Sequence, residues 1–392
     1  MKVALIHKTF SSYGGTERYI TNLSKALLKA GHEVHVFANR WANADGIQFH
    51  KVPILKIGKS ARIFSFAWFT RDIAENAGFD IVQGFGKTVR QDIFRAGGGT
   101  HRAWMKESLL AGRSSFLRNL KYVGRVLSPA QWLTIFIEAQ TFRKGNYKKV
   151  IAVSERVKKQ IMDYYHVPPE DIAVIHNGVD LSLFNTTGRR AAREVIRKRF
   201  GIDDKDILLV FASTNFHLKG LFSLIKGVKR ADNPHLKLLV IGGDDRMPYE
   251  RLASRLGIAE RVIFAGKGKN MKEFYQAGDI FAYPTLYDPF ANVCLEAMSC
   301  ALPVITSRVN GVSDIIRDGF NGLLLDDPTD DVQIAEKITC LADHPGKRND
   351  MAEEACNLAR HYSMDRHIEK VLALYSDVAG EKRSEVKRAG VI

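Results

Sequence analysis

The chain has 392 residues, of which 45% are hydrophobic and 26% charged, and its formal net charge is +15. This length predicts two domains, and the composition is ordinary for a globular protein. No stretch approaches the roughly 18 apolar residues of a membrane span, and the N-terminal apolar run is too short for a signal peptide, so we expect a cytoplasmic protein. The four cysteines form no C-x-x-C pair, which favours reduced thiols over disulfides or a zinc site.

The positive charge is confined to the first half of the chain. Residues 1–165 contain 27 basic and 11 acidic residues, a net charge of +16, whereas the remainder contains 31 and 32. This asymmetry predicts an acidic partner for the first half, such as nucleic acid, an anionic membrane surface or a phosphorylated substrate. The alternative is a basic surface without a specific partner.

Strands and helices alternate along the first half. The apolar run KVALIH (residues 2–7) predicts a buried strand, and a turn containing two glycines separates it from a helix. Further strands are predicted at residues 33–38, 80–85 and 150–154. Strands that alternate with helices in this way indicate a parallel sheet covered by helices on both faces.

The same pattern restarts in the second half, so the fold class is α/β with two tandem Rossmann-like, doubly wound domains. Pro168 and Pro169 end the helix before the junction, which places the domains at residues 1–172 and 173–363. We predict a final helix over residues 364–380 and a frayed, charged tail over 381–392. The predicted strands of the second half are residues 207–213, 236–243, 261–266, 280–284 and 303–307.

Two turns before helices are candidate phosphate sites. Gly14 and Gly15 lie between a strand end and a helix start, where backbone N–H groups can approach a phosphate. Lys219 stands beside Gly220 at a later helix start and can meet a diphosphate as a point charge. The alternatives are an ordinary tight turn for the glycines and a solvent-facing side chain for the lysine.

The stretch DPFANVCLEA (residues 288–297) follows a predicted strand, at the edge of the sheet where open α/β proteins bind ligands. Residues 290–293 are expected to form the first helical turn and to offer free N–H groups to an anion. Glu296, about one turn deeper, suits a pair of ribose hydroxyls, and Asp288 can accept hydrogen bonds from sugar hydroxyls. The alternative is a capped helix with two surface acids.

Most of the chain resembles the retaining GT-B glycosyltransferases of family 4, which use nucleotide sugars. A shorter segment, GFGKTVRQDIFRAGGGTHRAWMKE, is similar to the lipopolysaccharide core glucosyltransferase I group. The resemblance implies two domains that face each other across a cleft, with the helix over residues 364–380 packing back on the first. The motifs that carry it are GGTERYITNLSKALLKAGHEVHVF, VIAVSERVKKQI, VIHNGVDLSLF, KGLFSLIKGV, LLVIGGDD, VIFAGKGKNMKEFYQAGDIFAYP and DPFANVCLEAMSCALPVITSRVNGVSDIIRDGFNGLLL.

The resemblance also implies roles for individual residues. The E-x7-E motif of the family falls on Asp288 and Glu296, so Asp288 is implied to contact the transferred sugar and Glu296 the ribose. Lys219 matches the phosphate-binding lysine, and His101 matches the active-site histidine of the first domain. The donor-binding set that follows is Gly14, Gly15, Lys219, Asp288, Phe290, Ala291, Asn292, Val293 and Glu296, and the catalytic set is Lys219, Asp288 and His101.

The chain departs from the family pattern at two positions. Asp288 is one methylene shorter than the usual glutamate, and Thr214 stands where many relatives carry an arginine. Phosphate neutralisation is therefore expected to depend on Lys219, backbone N–H groups and Arg18. No carboxylate is an evident nucleophile, which favours a front-face transfer with electrostatic stabilisation of the leaving group. We expect no cofactor and no metal, and we interpret the D-x-D at residues 204–206 as a surface turn.

A basic amphipathic segment is predicted over residues 114–132. Phe116, Leu120, Val123 and Leu127 share one side of a helical wheel, opposite basic residues. Such a helix can lie on an anionic membrane, and the alternative is a helix packed on the core with a solvated basic face. The residues assigned to the acceptor or membrane side are Arg18, Arg102, Arg118, Lys121 and Arg125.

The leading interpretation is an enzyme on the cytoplasmic face of the membrane that transfers a hexose, with UDP-glucose as the first choice of donor, to a phosphorylated glycolipid. The enzymatic alternative is the same reaction on a soluble sugar or glucan acceptor. A non-catalytic sugar-binding protein is a more remote alternative. Nucleic-acid binding is disfavoured because no basic motif interleaved with aromatic residues is present.

Overall fold

The computed structural model describes residues 1–11, 15–73, 78–110, 124 and 128–389. It consists of two compact units, of which the first comprises residues 1–176 and 367–392 and the second residues 177–366. Each unit contains a parallel sheet flanked by helices, so the prediction of two Rossmann-like α/β domains is confirmed.

In the described part of the first unit, a seven-stranded parallel sheet has the order β5-β3-β1-β6-β7-β8-β9. The sheet forms because runs such as Val3–Ile6 are fully buried, as expected for strands covered on both faces. A separate pair, β2 and β4, lies beside it. The strands are β1 (Lys2–Ile6), β2 (Thr9–Phe10), β3 (Glu33–Ala38), β4 (Arg40–Trp41), β5 (Ile47–Lys51), β6 (Ile81–Gly84), β7 (Ile93–Ala96), β8 (Lys149–Ala152) and β9 (Ile172–Val174).

Helices of this unit, among them its first two along the chain, bury one face against the sheet. In the first of them Ile20, Leu23 and Leu27 are fully buried, at the helical spacing that the sequence shows. The helices are α1 (Gly15–Lys29), α2 (Gly58–Phe69), α3 (His101–Leu110), α4 (Pro129–Thr141) and α5 (Glu155–Tyr165). Helix α5 ends just before Pro168 and Pro169, as predicted.

The second unit repeats the arrangement with a six-stranded parallel sheet of order β12-β11-β10-β13-β14-β15 among its described strands. The strands are β10 (Ile207–Ala212), β11 (Leu236–Ile241), β12 (Val262–Gly266), β13 (Ile280–Tyr283), β14 (Val304–Ser307) and β15 (Leu323–Leu325). The helices are α6 (Arg189–Arg199), α7 (Leu221–Arg230), α8 (Met247–Arg255), α9 (Met271–Ala277), α10 (Asn292–Ser299), α11 (Asp331–Ala342) and α12 (Pro345–His361).

The end of the first unit differs from the predicted boundary at residue 172. Strand β9 pairs in parallel with β8, so the first unit continues to His176. The second unit likewise ends at Arg366 rather than at 363. A last helix, α13 (Met364–Ala389), carries the chain back to the first unit. Among the described helices, none combines the length and apolar character that crossing a bilayer requires.

The predicted frayed tail is wrong for residues 381–389, because α13 continues through Ala389. Its charged side chains have partners in the first unit. Lys382 Nζ lies 2.8 Å from Asp92 Oδ2 and donates to the carbonyl oxygen of Phe79, and Lys148 Nζ lies 2.7 Å from Glu385 Oε2. Sequence composition could not show these partners, which lie far away along the chain.

A buried histidine fixes the start of α13 within the first unit. His367 Nδ1 lies 2.7 Å from the carbonyl oxygen of His176, and Nε2 lies 3.0 Å from the hydroxyl of Tyr19. Burial, aided by the charge of Arg95, lowers the pKa of His367 to about 4 from its ordinary value near 6.5. In the folded chain this ring is therefore neutral. Its Nδ1–H donates to the carbonyl oxygen of His176, and its Nε2 accepts from the hydroxyl of Tyr19.

We expect the folded protein to lose stability as the pH falls from about 6.5 to about 4. In that window the unfolded state binds a proton at His367 and the folded state does not, so acidification favours unfolding. The His367→Gln variant should show a weaker pH dependence in urea unfolding over the same range. His344→Gln, at an exposed histidine, is the matched control and should behave like the wild type. An unchanged pH dependence in His367→Gln would contradict the assignment.

Candidate donor site and first-unit cavity

The predicted donor residues of the second unit lie at one edge of its sheet, whereas Gly15 belongs to the first unit. Strands β10 and β13 are parallel neighbours, so their carboxyl ends lie side by side. Lys219 lies in the connection from β10 to α7, and Asp288 lies in the connection from β13 to α10. This is the edge at which open α/β sheets bind ligands, so the predicted placement of both residues is borne out by the topology.

Lys219 and Asp288 form an ion pair, which the sequence analysis did not anticipate. Lys219 Nζ lies 2.6 Å from Asp288 Oδ2 and 2.8 Å from the carbonyl oxygen of Tyr287. The Tyr283 hydroxyl donates to the same carboxylate oxygen over 3.4 Å. Two of the three donors of the ammonium group thus have partners among the described residues, which leaves one for an anion.

Gly220 allows the lysine to approach this carboxylate. Its φ of +77° lies in the left-handed region, and it precedes the first residue of α7. A Cβ atom at this position would lie 1.9 Å from the carbonyl oxygen of Pro284, which follows β13. Only glycine therefore permits the two connections to pack so closely, and the ion pair depends on that approach.

The loop after Asp288 corrects the predicted start of the helix. Helix α10 begins at Asn292, not at Phe290. The N–H group of Phe290 donates to Asp288 Oδ1 over 3.1 Å, and that of Ala291 donates to Asn310 Oδ1 over 3.2 Å. At the N-terminus of α10, the N–H groups that a ligand can reach are therefore those of the residues that follow Ala291.

Glu296 lies about one turn into α10 and is half-buried. The hydroxyl of Tyr275 donates to Glu296 Oε2 over 3.0 Å, which orients the carboxylate. Burial raises the pKa of Tyr275 well above its ordinary value, and the negative charge of Glu296 adds to this effect. Tyr275 is therefore a permanent hydrogen-bond donor to Glu296 at neutral pH.

The cysteine between these two acids is not a nucleophile. Burial, followed by the charge of Asp288, raises the pKa of the Cys294 thiol far above its ordinary value, so the thiol stays protonated. All four cysteines are free, and Cys294 and Cys300 are buried, in agreement with the predicted reduced thiols.

The D-x-D at residues 204–206 is only partly the predicted surface turn, because its second aspartate has a structural role. Asp204 is exposed, but Asp206 is buried, and its Oδ2 accepts the N–H group of Asp203. Its carbonyl oxygen accepts a bond from the buried guanidinium of Arg197. Within the described residues, no cluster of three or more histidine, cysteine or acidic side chains could hold a metal ion.

A cavity of about 200 Å³ lies at the carboxyl edge of the sheet in the first unit. The connections after β1, β6 and β7 contribute to it, and Thr16, next to Gly15 at the start of α1, also reaches it. Its polar lining is formed by Lys87, Arg95, the Gly97–Gly99 loop, His101 and Glu138, with Trp104 beside them.

His101 is the first residue of α3 and is held by two side chains of α4. Its Nε2 lies 2.5 Å from Gln131 Oε1, and its backbone N–H donates to both carboxylate oxygens of Glu138. Its ring stacks on that of Trp104, with centroids 5.3 Å apart. Burial raises the pKa of Glu138, which also accepts a hydrogen bond from the Tyr165 hydroxyl.

The predicted residues of the acceptor or membrane side are only partly described. Arg18 lies in α1 and is exposed, and the guanidinium of the exposed Arg102 lies 5.4 Å from the ring centroid of Tyr165. Gly14, Arg118, Lys121 and Arg125 lie outside the described residues, as does the predicted amphipathic helix of residues 116–127 apart from Gly124.

Several supporting side chains escaped the sequence analysis. Tyr275, Tyr283 and Asn310 hold the donor residues, and Gln131 and Glu138 hold His101. One signal was present for Glu138, which is the single charged residue in the apolar stretch PAQWLTIFIEAQT. An acid at such a position is buried only when it has partners.

Two family models match consecutive parts of the chain. Residues 13–183 match Glycosyltransferase Family 4, and residues 192–357 match Glycosyl transferases group 1. The chain is thus an enzyme, a glycosyltransferase of the GT-B type. Within that class it belongs to family 4, as the resemblance implied.

Three known proteins illustrate the similarity. Lipopolysaccharide glucosyltransferase WaaG of Escherichia coli K12 is 24% identical over 93% of this chain and 94% of WaaG. A crystal structure of WaaG gives a TM-score of 0.76 at 21% identity, covering 95% of this chain and 99% of that structure.

Two other relatives carry names that indicate a different acceptor or a bound donor. The D-inositol 3-phosphate glycosyltransferase of Salinispora tropica is 30% identical over 61% of this chain, which spans about half (52%) of that protein. The structure of Anabaena HepE in complex with UDP-glucose gives a TM-score of 0.69 at 19% identity, covering 96% of this chain and all of HepE.

Proposed function

We propose that this glycosyltransferase moves a hexose, with glucose as first choice, from a UDP-sugar to a hydroxyl of a phosphorylated glycolipid such as lipopolysaccharide core. The similarity to WaaG over nearly the whole of both chains supports the acceptor class. HepE has the same fold, and its structure in complex with UDP-glucose supports a UDP-sugar as the donor. The reaction retains the anomeric configuration and needs no metal or other cofactor.

The observation that carries the proposal is the partly buried Lys219–Asp288 pair beside the start of α10. The third donor of the Lys219 ammonium binds the diphosphate, together with the first-turn N–H groups of Asn292 and Val293. Glu296, oriented by Tyr275, accepts hydrogen bonds from the ribose hydroxyls. Asp288 both holds Lys219 and contacts a hydroxyl of the transferred sugar.

The transfer follows from these roles. The bond between the anomeric carbon and the phosphate oxygen breaks, and UDP leaves with its electron pair. The acceptor hydroxyl forms the new bond on the same face of the sugar, and its proton passes to the departing phosphate oxygen. Lys219 stabilises the negative charge that grows on the diphosphate, which is the largest contribution this site can make.

We place the acceptor at the first-unit cavity. The carboxylate of Glu138 already accepts the N–H group of His101 at the start of α3, so the cavity suits sugar hydroxyls better than a phosphate. His101, held by Gln131, offers its ring to such a hydroxyl. The acceptor phosphates are assigned to basic side chains, among them Arg18 and Arg102, and the basic first half keeps the enzyme at the anionic inner membrane surface.

A second candidate function is the same transfer to a phosphorylated soluble acceptor. The 30% identity to an enzyme named for D-inositol 3-phosphate favours it. Both candidates share the donor site, so only the acceptor distinguishes them. The match of residues 13–183 to Glycosyltransferase Family 4 supports a transferase over a non-catalytic sugar-binding protein.

The test is a transfer assay after a thermal-stabilisation screen of nucleotide sugars. UDP-glucose should give the largest stabilisation, and core lipid should accept glucose in the presence of EDTA. The anomeric proton of the product should show the configuration of the donor by NMR. Inversion would contradict the retaining reaction, and transfer to inositol phosphate but not to core lipid would favour the second candidate.

A further inference from the structure

Helices α2 and α4 of the first unit pack against each other and cover one face of its sheet. On its inner side, α2 buries Phe66 in a core cluster with Ala4 and Val82 of the sheet. On its outer side, Phe64 and Trp68 remain 46% and 54% exposed. Their rings stack with centroids 5.9 Å apart, so α2 presents a continuous aromatic surface to solvent.

Exposed apolar side chains also occur on α4 and in the chain just before α2, and together with those of α2 they form one group. We call it the α2–α4 face. It contains seven of the twelve large, exposed apolar side chains among the described residues, whereas the other five are scattered over the second unit. Isolated exposed apolar side chains are normal, but a cluster on two packed helices marks an interaction surface. Its members are Leu55, Ile57, Phe64, Trp68, Phe69, Trp132 and Phe136.

Positive charge surrounds the aromatic side chains of α2. Residues 55–71 contain Lys56, Lys59, Arg62 and Arg71 and no acidic residue. The guanidinium of Arg71 lies 4.7 Å from the ring centroid of Trp68 and forms an ion pair with Asp72. Helices that lie in a membrane interface combine aromatic side chains at the headgroup level with lysine and arginine near lipid phosphates.

The positive charge of α2 also indicates which kind of partner binds the α2–α4 face. A second copy of the chain, related by a two-fold axis, would place the same four cations opposite each other, which opposes association. An anionic lipid surface would instead attract them, by about 1 kcal/mol for each basic side chain near it. The net charge of residues 1–165 is +16, so the first half of the chain as a whole would also be attracted to an anionic lipid surface.

We propose that the α2–α4 face docks on an anionic lipid bilayer, with Phe64, Trp68 and Phe136 inserted at the headgroup level. This proposal deepens the proposed function, because a glycolipid acceptor lies in a bilayer. It locates the contact on described helices, whereas the basic residues first assigned to the membrane, Arg118, Lys121 and Arg125, lie outside the described residues. The cations of α2 hold the lipid phosphates, and the aromatic side chains provide the apolar contact.

The experiment is flotation with vesicles of phosphatidylethanolamine and phosphatidylglycerol. The wild type should float at low salt, and the Phe64→Ser/Trp68→Ser double variant should bind at least about tenfold more weakly for each ring removed. The Lys59→Gln/Arg62→Gln variant should bind more weakly and with a reduced salt dependence. Ile57→Ser, at the 81% exposed N-cap residue of α2, tests the same face at a position where serine favours the start of the helix.

Phe320→Ser is the matched control. Phe320 is 45% exposed in the second unit and lies beneath Arg317, at 5.1 Å, much as Trp68 lies beneath Arg71. This variant should float like the wild type. The proposal is overturned if the double variant and Ile57→Ser float as well as the wild type, or if the wild type ignores these vesicles at low salt. Concentration-dependent dimerisation that Phe64→Ser abolishes would also overturn it.

Transfer to a detergent-solubilised acceptor separates this proposal from the proposed function. The double variant should retain that activity, because its substitutions lie outside the donor site and the first-unit cavity. If no glycolipid accepts sugar from the wild type, yet the double variant loses vesicle binding, the function fails while the docking surface stands. If transfer succeeds but vesicle binding is unchanged in every α2 variant, the docking surface fails alone.

Discussion

Replacement of Lys219 by alanine is expected to lower turnover by about 100-fold while the protein stays folded. The lysine is proposed to stabilise charge on the leaving diphosphate, and the removal of one preorganised donor typically costs this much. Its partner Asp288 keeps a hydrogen bond from Tyr283, so its carboxylate retains a donor in the variant. The measurement is the initial rate of glucose transfer at saturating donor, with thermal unfolding as the check on folding.

Lys226→Ala is the matched control for this substitution. Lys226 is an exposed lysine on α7, the helix that Lys219 precedes, and it lies over the ring of Phe222. Its loss should leave turnover unchanged. A folded Lys219→Ala variant with a rate close to that of the wild type would remove Lys219 from the site.

Replacement of Glu296 by glutamine is expected to weaken donor binding by about tenfold to a hundredfold. A hydrogen bond to a charged group contributes about 1.5–3 kcal/mol, and the neutral amide loses this contribution toward the ribose hydroxyls. The amide oxygen can still accept the bond from the Tyr275 hydroxyl, so the local fold should persist. Isothermal titration calorimetry with UDP and with UDP-glucose measures the change.

The donor analogue 2′,3′-dideoxy-UDP makes this measurement specific for ribose. The wild type should bind the analogue more weakly than UDP, whereas Glu296→Gln should bind both with similar affinity. Tyr275→Phe keeps the carboxylate but removes its orienting donor, so its effect should be smaller. Unchanged UDP affinity in Glu296→Gln, or an equal preference of wild type and variant for UDP over the analogue, would refute the ribose contact.

The longest apolar strands could be predicted because strands of a parallel sheet are buried on both faces. The runs at β1, β3, β10, β11 and β13 therefore stand out against the helical stretches between them. The strands that escaped prediction lack a long apolar run, and this includes the buried β7, which has four residues, one of them Arg95. Strand β5 (Ile47–Lys51) is a half-exposed edge strand, and β9 and β15 contain three residues each.

The residues of the donor site could likewise be predicted only in part. Lys219, Asp288 and Glu296 could be proposed because each follows or begins a recognisable element in a motif of the family. Their hydrogen-bond partners could not. Asn310, which holds the N–H group of Ala291, lies nineteen residues farther along the chain, in the loop after β14. Local periodicity carries no information about such partners.

The sequence by itself determined the two α/β domains, the glycosyltransferase family and the edge of the sheet that carries the site. These follow from burial patterns and short motifs, which are local properties of the chain. The tertiary structure decided that Lys219 pairs with Asp288, that Tyr275 orients Glu296 and that Glu138 caps the helix of His101. It also decided that aromatic side chains of α2 face solvent, because the sheet covers only one side of that helix. Lys219 and Asp288 are 69 residues apart, and only the parallel pairing of β10 with β13 brings them together.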